Sequence, residues 1–153
     1  MIADLYLLDS GPLGLATNPK DSHDARRCKA WLRECLSAGS RVMIPQVIGY
    51  EVRRELLRAG KLKGIAQLDA LADRLGTIPV DERVWSIAAE MWAQARREGR
   101  PTASATALDI DVILAATATV ASEDGSTVVV VTGNVEHLGQ FVDARDWRTL
   151  ASP

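Results

Sequence analysis

Three carboxylates in this chain stand where local structure favours an apolar or neutral residue. Asp9 closes the apolar run Leu5-Tyr6-Leu7-Leu8, Glu51 lies inside a helical pattern from Pro45 to Ala59, and Asp111 opens Val112-Ile113-Leu114-Ala115-Ala116-Thr117-Ala118. A fourth polar residue, Asn134, follows Val128-Val129-Val130-Val131-Thr132. Acids at the ends of buried elements cost desolvation free energy unless a cation compensates them, so their recurrence points to a shared metal site. The function class implied is an enzyme acting on phosphates.

Each of these residues also has a local use. Asp9 is followed by Ser10 and Gly11, so its carboxylate would accept backbone N–H bonds in a turn, and Ser10 would hydrogen-bond that carboxylate or a bound water. Glu51 comes three residues after Ile48 and four after Val47, which gives it a face shared with residues that read as buried. Its local alternative is a pair with an arginine at the helix edge. Asp109 and Asp111 are two positions apart and cannot face the same way on one helix. Thr106-Ala107-Leu108-Asp109 resembles a capping box with aspartate in place of glutamate, which gives Asp109 a supporting role. Asp111 has no such local role, and it shares its face with Leu114, Ala115 and Ala118. Asn134 would either lend a neutral oxygen to a metal or cap the next turn. Neither His23 nor His137 is near another histidine or a cysteine, so a zinc site has little support. Hard oxygen donors in this number point instead to Mg²⁺ or Mn²⁺.

The elements that must position these groups can be read from periodicity. Asp4 to Asp9 reads as a short buried strand, after which Gly11-Pro12 turns the chain sharply into a brief helix. Ala25, Cys28, Leu32, Cys35 and Leu36 recur at helical spacing from Ser22 to Ser37, with Ser22 as cap and Gly39 as stop. Arg41 to Ile44 is a second strand, Pro45 an early helical residue, and Gly60 the stop of the helix that carries Glu51. Further helices are expected over 63–75, 81–98 and 106–120, with a short strand at 77–80 and a linking loop at 99–104. A β-branched central strand covers 126–132, and a last strand lies near 142–147. Strands alternating with helices, and strands that are apolar throughout, predict a parallel α/β sheet covered on both faces. Ligands in such sheets bind beyond the carboxyl ends of the strands, where Asp9 and Asn134 fall.

At 153 residues and 47% hydrophobic, the chain suits one domain, residues 1–153. No stretch approaches the roughly 20 apolar residues of a membrane span, and the segment up to Leu8 carries Asp4 without a basic lead. A cytoplasmic protein is expected. Cys28 and Cys35 are seven residues apart on a helix, about 10 Å, and read as small core residues rather than a bridge. The net charge of −2 argues against binding nucleic acid over the whole surface. Locally, Arg53, Arg54 and Arg58 share a helix with Glu51 and suit flanking phosphates, although a solvated face would look the same.

Four ordered segments carry a family likeness: Leu7-Leu8-Asp9-Ser10, Tyr50-Glu51-Val52, Asp111 through Ala118, and Val131-Thr132-Gly133-Asn134-Val135-Glu136-His137. In order and spacing the chain resembles PIN-domain proteins, and is similar to the VapC toxins of bacterial toxin–antitoxin pairs, over nearly its whole length. The resemblance implies a PIN-like three-layer α/β/α fold with a central parallel sheet of four to five strands, a metal-dependent ribonuclease activity, a homodimer and a cognate antitoxin. By the same resemblance Asp9, Glu51 and Asp111 are the acidic metal ligands, Ser10 supports Asp9, and Thr132 orients groups at the strand end. Asn134 occupies a position where many relatives carry a fourth acid, and this departure puts a second metal in doubt.

The expected chemistry is in-line attack of water on an RNA phosphodiester at a Mg²⁺ or Mn²⁺ site, with Asn134 completing the catalytic set. Single-stranded or looped RNA suits a cleft lined by side chains. A second class is a PIN-like domain that binds RNA or protein without cleaving. A phosphatase with an aspartate nucleophile would want a second aspartate two residues after Asp9, where Gly11 stands.

Overall fold

The structure is a computed structural model that describes residues 2–99 and 105–150. Apolar and β-branched runs that tolerate burial on both faces form its strands. These are β1 (Leu5–Leu8), β2 (Arg41–Pro45), β3 (Thr77–Ile78), β4 (Val128–Val131) and β5 (Ala144–Arg145). They pair in parallel in the order β3-β2-β1-β4-β5, with Leu7 opposite Val130 and Leu8 opposite Val131. Between them run α1 (Ser10–Ala16), α2 (His23–Ser37), α3 (Gln46–Arg58), α4 (Leu62–Leu75), α5 (Glu82–Arg97), α6 (Ala105–Ala121) and α7 (Val135–Leu138), and α8 (Trp147–Leu150) follows β5.

This order has a consequence for ligands. The chain leaves β1 toward β2 and β3, then returns to β4 on the opposite side of β1. Right-handed crossovers therefore put α1 to α4 on one face and α5 to α7 on the other, which makes three layers. The direction reverses between β1 and β4, so a crevice opens beyond the carboxyl ends of those two strands.

Packing explains why α6 is apolar on nearly every side. Leu108, Val112 and Ala116 pack with Val84, Ala88 and Ala95 of α5, whereas Ile110, Leu114 and Ala118 join the core around the sheet. A helix clamped between two layers has little wet face to fill with charge, and Asp109 takes what there is. On the far side of the sheet, Tyr6 meets Trp31 of α2 edge-on, with ring centroids 5.8 Å apart.

Several boundaries differ from the sequence expectations. Asp9 itself caps α1, so the helix starts at Ser10 and Gly11-Pro12 fall within its first turn rather than in a turn before it. Proline fits there because its missing N–H would have no helical partner. Pro45 ends β2 and caps α3 instead of starting the helix. Thr106 is the second residue of α6, and the side chain that the expected capping box needs is outside the described residues. Strands β3, β4 and β5 are shorter than expected, and α7 and α8 were not foreseen. Residues 100–104 of the expected linking loop lie outside the described residues.

Other expectations hold. Ser22 Oγ accepts from the Ala25 N–H at 3.1 Å, and Gly39 and Gly60 follow α2 and α3 with φ of 84° and 68°. Both cysteines are free, and burial pushes the Cys28 thiol up to about 12 and that of Cys35 to about 11, so both behave as inert packing groups. Among the described residues no helix is long and apolar enough to cross a membrane.

Candidate active site

Asp9 is held by both ends of the crevice. Its backbone N–H donates to the Val131 carbonyl at 2.9 Å, extending the pairing of β1 with β4 past the last strand residue. Oδ1 accepts from the Ser10 N–H at 2.7 Å, and Oδ2 accepts from the Thr132 hydroxyl at 2.7 Å. Thr132 is fully buried, and its oxygen in turn accepts from the Asn134 N–H at 2.9 Å. Asp9 is thus a turn acceptor and a strand-end acid at once. Two fixed hydrogen bonds hold its carboxylate toward the switch point.

Glu51 arrives from α3, where Val47 and Ile48 are buried on the same face. Burial raises its pKa most, and the negative charge of Asp9 adds to this, while a hydrogen bond from the Ser10 side chain opposes it. Ser10 therefore serves two acids, Asp9 through its backbone and Glu51 through its side chain. Asp111 arrives from α6 with its side chain 18% exposed. Burial pushes its pKa up to about 6, with Asp9 and Glu51 contributing repulsion and His137 opposing it. The three acids expected to act together therefore lie within electrostatic reach of one another.

His137 is the residue the sequence did not connect to this site. From α7 its Nε2 reaches within 2.9 Å of Asp111 Oδ2, and its ring meets Phe141 edge-on. That separation is a hydrogen-bonding one, and the contact with His137 favours the ionised form of Asp111. The sequence signal was thin: one histidine, in a segment read as a turn, with no ligand-like spacing.

The donor set fits a divalent cation in its chemistry. It offers hard carboxylate oxygens, and two of its acids, Glu51 and Asp111, ionise less readily than free acids, which is how acids behave when they would gain from a shared cation. As the side chains lie, however, no three His, Cys, Asp or Glu groups among the described residues are close enough together to hold an ion.

No family model matches the chain, and no curated protein matches it. Solved structures do match. VapBC2 from Rickettsia felis, bound to a promoter DNA fragment, aligns over 94% of this chain and 98% of its own with a TM-score of 0.72 and 16% identity. VapBC-1 from nontypeable Haemophilus influenzae aligns over the same shares at 0.66 and 17%, and FitAcB from Neisseria gonorrhoeae at 0.62 and 22%. This chain has the PIN-like fold. At these identities the likeness is one of architecture.

Within the PIN-like fold, the remaining expected residues separate from the acids. The Asn134 side chain is exposed and makes no cap hydrogen bond, although the residue stands at the start of α7. Asp109 is exposed beside Trp85 and Trp92 of α5, away from Asp111. Arg53 pairs with Asp69, and Arg58 pairs with Glu55 at 2.7 Å. Arg54 instead lies over the Tyr50 ring, 5.2 Å from its centroid.

The position of Asp111 sets a pH dependence of stability. Its carboxyl is harder to ionise in the native PIN-like fold than in the unfolded chain, where aspartate titrates near 3.9. The native state therefore holds an extra proton between about pH 4 and pH 6, and stability falls as pH rises through that window. Asp9, Glu51 and His137 are the charged or titratable groups that face it. Asp111→Asn is expected to stabilise the metal-free protein at pH 7 by on the order of 2–3 kcal/mol, with the gain vanishing near pH 4. Urea denaturation in EDTA from pH 4 to pH 8 checks this, and a gain independent of pH would contradict it.

Proposed function

We propose that the chain is a metal-dependent endoribonuclease, the toxin of a type II toxin–antitoxin pair, folded as one domain and acting in the cytoplasm as a homodimer controlled by a cognate antitoxin. The observation that carries this reading is the convergence of Asp9, Glu51 and Asp111 at the switch point of a fold shared with toxin–antitoxin complexes. Asp9, Glu51 and Asp111 would hold Mg²⁺ or Mn²⁺, and the chemistry such an ion supplies when bound is polarisation of a phosphodiester oxygen and acidification of a water.

The chain's own residues do the rest. Ser10 and Thr132 fix the Asp9 carboxylate, so little reorganisation remains when substrate binds. Asp111, pushed up to about 6 when no cation faces it, is an acid whose ionised form a bound cation would stabilise. Arg54, half-buried on the same helix as Glu51, suits a flanking phosphate of single-stranded RNA better than Arg53 or Arg58, whose charge is committed to acids.

A second reading, a PIN-like domain that binds without cleaving, is favoured by the spacing of the acids, no three of which stand at ligand distance. Incubating the protein with a labelled single-stranded RNA in Mn²⁺, Mg²⁺ or EDTA separates the two. Cleavage is expected with either metal and not in EDTA. Saturable Mn²⁺ binding with intact RNA would favour the second reading.

A further inference from the structure

Tyr50 is the part of the Tyr50-Glu51-Val52 segment that the proposed mechanism leaves unused. Val52 is buried, and Glu51 is half-buried within electrostatic reach of Asp9. Tyr50, one residue before that acid on α3, is 59% exposed. A large ring standing alone in water is ordinary, so exposure by itself assigns nothing. The surroundings of this ring carry more.

Arg54 lies one helical turn further on, with its guanidinium over the Tyr50 ring, 5.2 Å from the centroid. The same guanidinium favours the ionised form of Glu51, which places it within electrostatic reach of the crevice. Arg53 and Arg58 have their charge turned to Asp69 and Glu55 instead. The Tyr50 ring is therefore backed by a cation, largely open to solvent, and one peptide bond away from a candidate catalytic acid.

These are the properties that hold an unpaired nucleotide. A nucleobase stacks on an aromatic face whatever its sequence, because every base has a π-face, while the phosphate beside it takes a cation. Tyrosine has only two side-chain torsions to fix, and Arg54 already restrains them, so little freedom is lost when a base arrives. The cation beside the ring suits a polyanion, which decides for RNA over an apolar protein surface.

We infer that Tyr50 and Arg54 form a base-stacking shelf at the mouth of the crevice, on which a nucleobase flanking the scissile phosphate of single-stranded RNA rests while Arg54 takes the neighbouring phosphate. This rests on the proposed reading that RNA is the substrate, and it adds how a base, rather than the backbone alone, is held. The shelf requires no metal. It selects unpaired over duplex RNA, because a base stacked within a duplex has no free face.

The test measures binding rather than cleavage. The full chain, in EDTA at low salt, is titrated against a labelled single-stranded RNA and against a strand with the same number of phosphates but abasic sugars, with fluorescence anisotropy as the readout. Tyr50→Leu is expected to weaken binding of the base-bearing strand by about 10-fold and to leave the abasic strand unchanged. Tyr50→Trp keeps a π-face and is expected to hold or raise the wild-type affinity. Arg54→Ala should weaken binding of both strands and lower the slope of log affinity against log salt by about 0.7. Equal loss on both strands in Tyr50→Leu, or loss on neither, overturns the shelf alone. So does a smaller species in sedimentation of Tyr50→Leu with RNA affinity unchanged, which would give the ring to a protein interface. Failure of the wild type to bind the base-bearing strand overturns the RNA reading as well.

Discussion

Replacing Asp111 with alanine is expected to reduce metal-dependent RNA cleavage by about 10²–10³-fold or more while leaving the protein folded. Asp111 carries the strongest environmental strain of the three acids: it is largely buried, it faces Asp9 and Glu51, and its pKa is pushed up to about 6. A group held at such electrostatic disadvantage destabilises the fold, so the same site should show opposite effects on stability and activity. Asp111→Asn keeps the shape of the side chain and removes the charge, so it should be more stable than wild type at pH 7 and still fail to cleave. A cleavage assay and urea denaturation on the same preparations check both halves. Full activity in Asp111→Asn would sink the assignment, since no packing change could account for it.

Trp147→Ala is expected to destabilise the chain by about 3–5 kcal/mol, enough to unfold a marginal domain near physiological temperature. Trp147 is 1% exposed and belongs to α8, a single turn that would have no stability in isolation. Its indole is held between Arg27 of α2, at 5.4 Å from the ring centroid, and its neighbour Arg148, at 4.7 Å. Arg148 also pairs with Asp24 at 3.1 Å, so a ring and an ion pair together fasten α8 to α2. The exposed ion pair contributes little, and the buried indole carries most of the effect. Equilibrium denaturation of Trp147→Ala against Trp147→Phe separates them, because phenylalanine refills most of the volume. A loss below about 1 kcal/mol for alanine would mean that α8 lies outside the cooperative core.

The parallel α/β architecture was legible because its signals are local. Val128 to Val131 is too apolar for a half-exposed strand, and Ser22, Gly39 and Gly60 mark helix ends through backbone preferences that hold in any context. Asp9, Glu51 and Asp111 were legible for a related reason: a charge amid apolar neighbours contradicts its own surroundings. Boundaries blurred where two local rules competed. Gly11-Pro12 fits a turn and a first helical turn equally, and the Asp9 cap selected the helix.

What the sequence by itself determined was therefore the strands and helices other than the short α7 and α8, together with the three acids that do not fit them, since periodicity and burial cost act over a few residues. Tertiary structure alone decided how those residues meet. Strand order put Asp9 and Thr132 side by side across 123 positions of chain, ion pairs committed Arg53 and Arg58 elsewhere, and α7 carried His137 to Asp111. Distances between residues far apart in sequence depend on how layers pack, and no local pattern of residue types encodes them.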